Sequence, residues 1–315
     1  MPRALKAVVR LAIVRLAAVV LLSMSAASVR PSSRAMAEVT AGDDGSAKSA
    51  PATLKPASAS ASAPSPDIPF NDYDFAAERR MLDLANQSRA QAGLPALLFD
   101  PGLCQAARAH AEAMLAARQL SHQFDGEPAL AQRLGSATKT TLDQEGENVA
   151  LDFNAENGHK HLMLSPPHRA NLLNPAYNVI GVGIVRSGDH LYIVQDFGHA
   201  LPNFSSAEVK DKIAAQVMQQ RHQANQPELV RRDLPNADDA ACSMAQADKL
   251  GTSPIHQLAQ RYTVLTYTSQ HPEALPGAAS QALASHNLRS FSVGMCYART
   301  DTYPTGVYWV LLSLD

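Results

Sequence analysis

The chain has 315 residues, a formal net charge of −2 and 18% charged side chains, with 46% hydrophobic residues. That balance excludes the basic footprint of a nucleic-acid binder and leaves enough apolar material for one globular domain plus a smaller one. Three cysteines are too few for a disulfide-built scaffold, and the odd count leaves at least one unpaired within the monomer.

The chain opens as an export signal. Arg3, Lys6, Arg10 and Arg15 make a basic start, and Leu16 to Ala27 is a short apolar and small-residue run. That run is too short for a comfortable membrane span and reads as the apolar part of a secretory signal, with small-x-small cleavage sites ending at Ala27 and Ala37. Residues 1–37 are therefore assigned to the signal, and an uncleaved amphipathic anchor is the alternative. The mature protein is expected to be extracellular or periplasmic, without a stable membrane span. Residues 38–69 form a linker: Glu38 to Pro66 is built almost wholly from Ala, Ser, Pro, Thr, Gly and a few charges. Such a stretch cannot bury enough surface to offset the entropy of ordering.

Asp74 to Ala92 has helical periodicity, with Phe75, Met81, Leu82, Leu84 and Ala85 on the apolar side and Gly93 as its stop. Asp100 then caps a second helix with Pro101 in its first turn, running Ala-rich through Arg118 and delivering His122 to a loop. Glu147 precedes the short apolar run Val149-Ala150-Leu151, a strand end or helix start. Asn154 caps a helix from Ala155 to Leu164 that Pro166-Pro167 terminates. On it, His159 and His161 point to different faces and read as solvated. Val179 to Val185 and Leu191 to Phe197 are strands joined by the turn Arg186-Ser187-Gly188-Asp189. Helices followed by paired antiparallel strands argue for an α+β layered domain over residues 70–200.

The remainder divides into a helical linker, 201–235, built on the polar pattern Ser205 to Gln223, and a small α+β domain, 236–315. The latter holds helices near Ala240 to Leu250 and Ile255 to Tyr262, then a hairpin of Phe291 to Tyr297 and Val307 to Leu314. Its Val293-Gly294-Met295 echoes Val182-Gly183-Ile184, a weak internal similarity without the chemistry-bearing words. Cys242 and Cys296 are the plausible disulfide pair in an oxidising compartment, and Cys104 serves as a small buried apolar group.

The words between residues 84 and 198 resemble the CAP superfamily: cysteine-rich secretory proteins, antigen 5 and pathogenesis-related proteins, in the bacterial secreted branch. The resemblance runs through Leu84-Ala85-Asn86-Gln87-Ser88-Arg89, Leu94-Pro95-Ala96-Leu97, Ser121-His122, Gly146-Glu147-Asn148-Val149-Ala150, Ser165-Pro166-Pro167-His168-Arg169-Ala170-Asn171 and Ile180-Gly181-Val182-Gly183, ending near Asp196-Phe197-Gly198. Several words in the family's order carry more weight than any single tripeptide. The resemblance implies a helix–sheet–helix sandwich of CAP type and places the family's cavity residues at His122, Glu147 and His168. Leu162 stands where the family usually has Trp, and Ser165 where many eukaryotic members have a second acidic ligand. Three of four polar cavity groups therefore carry over, with Glu156, Asp152 or a neighbouring His as candidates for the fourth.

Two imidazoles and a carboxylate are ligands suited to a divalent cation such as zinc. The resemblance also implies a mostly non-enzymatic scaffold, some members of which bind sterols or fatty acids. The expected function is thus a secreted binding or cell-envelope module whose His122, Glu147, His168 cleft takes a metal, a small ligand or a wall fragment. The alternative is an extracellular hydrolase using the same cleft, either metal-assisted or with Ser165 as nucleophile, His168 as base and Glu147 as orienting acid.

Overall fold

The structure, a computed structural model, describes residues 73–315 and the backbone of residues 11–14. The apolar run Leu16 to Ala27, both cleavage sites and the 38–69 linker lie outside the described residues. Residues 11–14 form strand β1 (Leu11–Val14).

Helix α1 (Phe75–Gln91) starts where Asp74 accepts a hydrogen bond from the Ala77 amide at 2.9 Å. It buries Ala77, Met81 and Ala85, but also Glu78 and Arg89, while Phe75 stays exposed. Arg89 explains why an arginine belongs on this apolar face. Its guanidinium donates to the carbonyls of Pro95, Leu172, Asn174 and Tyr177 at 2.8–3.1 Å, tying the segment that follows this helix to residues 172–177. Buried polar groups persist only when hydrogen-bonded in this way. Asn86 clasps Leu97 through both amide atoms.

After strand β2 (Leu98–Phe99), helix α2 (Pro101–Ala117) is capped by Asp100 on the Leu103 amide and ends at Arg118 in the left-handed region. Then come α3 (Leu130–Ala137), strand β3 (Leu142–Asp152), α4 (Ala155–Leu164), α5 (Pro166–Leu172), and strands β4 (Val179–Ser187) and β5 (His190–Ala200). The sheet order is β2-β4-β5-β3, antiparallel except for β2 against β4. One face packs α1, α4 and α5 through Met81, Leu162, Leu172, Ile193 and Phe197. The other packs α2 through Ala107, Met114, Val149 and Val194. The domain is therefore α+β, a helix–sheet–helix sandwich.

Gly183 has a structural reason: a Cβ there would lie 2.2 Å from the Arg108 backbone nitrogen. Small residues on α2 and β4 let the two backbones come into contact. Two local expectations change. Pro166 and Pro167 end α4, yet they also open α5, because proline suits a first helical turn. Glu147 lies in the middle of a strand of eleven residues, not at an element boundary.

The 201–235 segment does more than link. Helix α6 (Ser206–Gln223), opened by a reciprocal Ser205/Glu208 capping box, buries Val209, Ile213 and Val217 in a second core. It is followed by β6 (Val230–Arg231), α7 (Ala237–Gln246), α8 (Ser253–Leu258), β7 (Thr263–Ser269), α9 (Gly277–Leu283), β8 (Ser290–Ala298) and β9 (Val307–Leu314). The second sheet has the order β1-β7-β9-β8-β6, with β1 paired antiparallel to β7. Cys242 on α7 and Cys296 on β8 are joined as a disulfide, and Cys104 is free and buried.

Candidate functional site around Glu147

The Gly146-Glu147-Asn148 word lies on β3, at the outer edge of the first sheet. Successive strand residues face opposite ways, and each of the three uses its side. Gly146 faces Tyr177, whose hydroxyl would be 2.4 Å from any Cβ there and donates to the Glu145 carbonyl. Asn148 also faces that layer. Its amide nitrogen donates to the His168 carbonyl and to Gln195, and its oxygen accepts from Asn171 at 2.9 Å. Asn171 in turn donates to the Glu147 carbonyl at 3.0 Å. The two asparagines thus clamp α5 onto β3.

Glu147 points the other way, toward α2 and α3, and is 1% exposed. Its Oε1 lies 2.8 Å from His122 Nδ1, and its Oε2 accepts from Arg133 Nη2 at 2.9 Å. The same Arg133 nitrogen donates to the His122 carbonyl, so α3 fixes both members of the pair. His110, fully buried on α2, lies 3.9 Å from Glu147 Oε2. Its Nδ1 meets Glu127 at 2.6 Å and its Nε2 meets the Ser121 carbonyl at 2.8 Å.

Asp196 stands directly opposite Glu147 in the β3–β5 register and is fully buried. Cross-strand neighbours have Cβ atoms about 5 Å apart, so two carboxyl groups share one low-dielectric space and their acidities separate. Burial pushes Asp196 well above the usual carboxylate range, and the charge of Glu147 adds to that. Burial acts on Glu147 in the same sense, but the His122 hydrogen bond and the charges of Arg133 and His110 outweigh it, leaving Glu147 below its ordinary value. The acidities of the two carboxyl groups are therefore driven apart, Asp196 upward and Glu147 downward.

The structure brings His122 and Glu147 together as expected. His168 is 2% exposed on α5, whose backbone is clamped to β3 through the His168 carbonyl and Asn148. No group of three or more His, Cys, Asp or Glu side chains suited to a metal ion occurs among the described residues. Both Glu147 oxygens are engaged, Oε1 with His122 and Oε2 with Arg133.

The candidates for a fourth group have other partners. Asp152 meets the exposed His161 at 2.5 Å, and Glu156 pairs with Arg80 at 2.7 Å. His159 is a correction: it is buried, not solvated, and its Nε2 is 2.8 Å from Ser88 Oγ. Burial, then the charge of Arg80, depresses its pKa.

Sequence reasoning missed His110, Glu127, Arg133 and Asp196. Two left a signal. His110 interrupts the otherwise apolar buried face of α2, and Asp196 interrupts the apolar alternation of β5 between Val194 and the Phe197–Gly198 end. Of the residues weighed for a hydrolase, Glu147 is held by His122 and Arg133, and Ser165 sits at the junction of α4 and α5. A separate cavity of about 410 Å³, lined by Phe75, Leu82, Phe99, Cys104 and Val182, opens at the β2 side, the opposite edge of the sheet.

Among the described residues no helix is long and apolar enough to cross a membrane. Residues 82–197 match the CAP family, described as the cysteine-rich secretory protein family. Two Bacillus subtilis (strain 168) proteins are similar. Uncharacterized protein YkwD is 34% identical over 155 residues, covering 48% of this chain and 56% of that protein. Uncharacterized membrane protein YlbC is 30% identical over 132 residues, covering 42% of this chain and 37% of that one. The chain thus spans about half, or less, of the length of these relatives. A solved extracellular protein containing an SCP domain from Bacillus anthracis is 27% identical, with a TM-score of 0.37 over 39% of this chain and 40% of that one. The Gly-Glu-Asn strand and the clamped His-Arg-Ala-Asn helix both lie inside residues 82–197, the segment of this chain that matches the CAP family.

Proposed function

We propose that the protein is an exported, non-enzymatic binding module of the cell envelope, whose ligand seats over the outer edge of β3 between His122 and His168. The observation that carries this reading is the split pair of Glu147 and Asp196: two buried carboxyl groups opposite each other with acidities driven apart. Such perturbation concentrates at functional sites, where packing alone gives no return for burying charge. Glu147 is wholly enclosed and fully engaged, so it acts as a fixed anchor for His122, whose side chain is 8% exposed. Arg133 is buried beside it and the Glu127 side chain is 13% exposed. Recognition by an imidazole suits an oxygen-rich partner, such as a polar envelope fragment.

Export rests on the basic start, the apolar run and the small-x-small sites. Cleavage at Ala27 or Ala37 would remove β1, which adds only an edge strand to the second sheet. N-terminal sequencing of protein from the cell exterior decides this part, and an intact Met1 confined to the cytosol would refute it.

Binding is tested by co-sedimentation of the purified mature protein with isolated cell-envelope material, wild type against a His122→Ala, His168→Ala variant. Loss of sedimentation in the variant is expected, and equal sedimentation of the two would refute the site. Zinc calorimetry on the same pair addresses the cation. Binding by wild type that the variant loses would replace the metal-free reading with a metal centre.

A further inference from the structure

We infer that residues 205–315 are a site-less counterpart of the CAP fold, whose task is to hold α3, and through it Arg133, against Glu147, with Arg299 as the positioning residue.

The two units share more than a hairpin. Strands β6-β8-β9-β7 repeat the order and sense of β2-β4-β5-β3, including the one parallel pair at the short strand. Arg221 repeats Arg89: both are fully buried near the end of the first helix, and each Nε donates to the carbonyl six residues on, Pro227 or Pro95. Each also reaches carbonyls far along the chain, Leu283 and Ser285 in the second case. Gly294 repeats Gly183, since a Cβ there would lie 2.3 Å from the Ala237 carbonyl oxygen on α7. The next residue's amide is bonded in both units, Ile184 to Glu78 and Met295 to Asp238. Even the ion pair joining the first two helices recurs with its charges exchanged: Glu78 with Arg108, Lys210 with Asp238.

That correspondence shows what is lost. In register, Gly181 and Glu147 both face Asp196, whereas Ser292 and Val264 both face Ser313. Aligning Gly294 over Ala237 with Gly183 over Ala107 puts Ala240 where His110 stands. Neither carboxyl group nor the helix histidine is retained, so the second unit keeps the scaffold without its polar centre.

What it keeps is a grip on the two elements that carry the site. Arg299, just past β8, donates through Nη1 to the Gly135 and Thr138 carbonyls and through Nη2 to Thr140 at 3.2 Å. These are carbonyls at and beyond the end of α3, where a helix leaves them without internal partners and a cation is favoured. Gly135 is pressed so closely on Pro304 that a Cβ would lie 2.4 Å from its oxygen. Arg133 is two residues before Gly135. The start of β3 is held in the same way: Thr305 and Gln270 both donate to the Leu142 carbonyl, and Tyr297 pairs with Thr141. The Cys242–Cys296 bond anchors β8 three residues before Arg299.

The brace bears on function only through the reading of the Glu147 site above, so its test does not need a ligand. Full-length mature protein carrying Arg299→Ala, Arg299→Lys or, as a control, Arg231→Ala is titrated by carbon NMR of selectively labelled Glu carboxyl groups. Arg231 makes only an exposed ion pair with Asp211 in the same unit. In Arg299→Ala, Glu147 should titrate higher by about one pH unit, the low end of the effect of losing an opposite charge at contact. Arg299→Lys should restore part of the shift, and Arg231→Ala should leave Glu147 as in wild type. If Arg299→Ala does not fold, amide exchange of residues 131–137 in Arg299→Lys replaces it, with at least tenfold faster exchange expected. Wild-type Glu147 titration in folded Arg299→Ala, or wild-type exchange of α3 in Arg299→Lys, overturns the brace. A shifted Glu147 with unchanged envelope binding supports the brace while removing the binding role proposed for the site.

Discussion

Replacing Arg133 by Met tests the charge logic of the site. Arg133 Nη2 bonds Glu147 Oε2 at 2.9 Å, with the two side chains 7% and 0% exposed. Removing one partner of such a buried pair costs about 3–5 kcal/mol, because the other charge is left uncompensated. His122 stays on Oε1, so the loss should fall near the lower end, about 3 kcal/mol. Glu147→Gln should cost about 1–3 kcal/mol, since a neutral acceptor remains but the charge-assisted bonds are lost. In the double variant no carboxylate is stranded, and the total should fall short of the sum by roughly 1.5–3 kcal/mol. Urea unfolding at pH 7, followed by far-ultraviolet circular dichroism, supplies the four free energies. Fluorescence is the wrong probe because the single tryptophan, Trp309, lies in the second unit. The pH dependence has a fixed sign. Glu147 titrates below its unfolded value, so its contribution is complete above about pH 4.3 and is lost as pH falls through the folded value. The Arg133→Met penalty should therefore shrink in acid. Additivity of the two single changes to within about 0.5 kcal/mol would refute the pairing.

Asp196→Asn should stabilise the protein at neutral pH. The folded pKa of Asp196 is raised, so its favourable protonated state is fully present below the unfolded value of about 3.9 and is lost as pH rises through the folded one. The gain should vanish in acid, and a gain independent of pH between about 3 and about 8 in urea melts would contradict it. Changing Cys242 and Cys296 together to Ser opens a loop with a sequence separation of 54 and should cost about 4 kcal/mol on the chain-entropy estimate. Denaturant melts of oxidised and Ser proteins measure it, and unchanged midpoints would count against a bond in the exported protein. Gly183→Ala drives a methyl against the α2 backbone 2.2 Å away and should lower stability by at least about 1–3 kcal/mol. Gly188→Ala, in open space at φ 61°, is the comparison, and an equal loss at both positions would show that contact with α2 is not the cause.

Local chemistry was legible wherever a residue speaks to its neighbours in the chain. Asp74, Asp100 and Asn154 cap the helices they announce, prolines begin α2 and end α4, and the Arg186–Asp189 turn joins β4 to β5. The motif words also located His122, Glu147 and His168, but could not say which face of β3 each approaches. Tertiary structure decided that His122 and Glu147 are in contact and that His168 is buried on α5. It decided that Arg133, which left no signal in the sequence, and His110, a lone polar break in the apolar face of α2, complete the Glu147 shell. The second unit shows the same division. Its hairpin echo was visible in three residues, whereas its likeness to the first unit lies in strand order, in a buried arginine at a helix end and in an ion pair of exchanged sign. A packing site constrains volume, polarity and charge balance rather than residue identity, so a fold can persist after the words that spell it have changed.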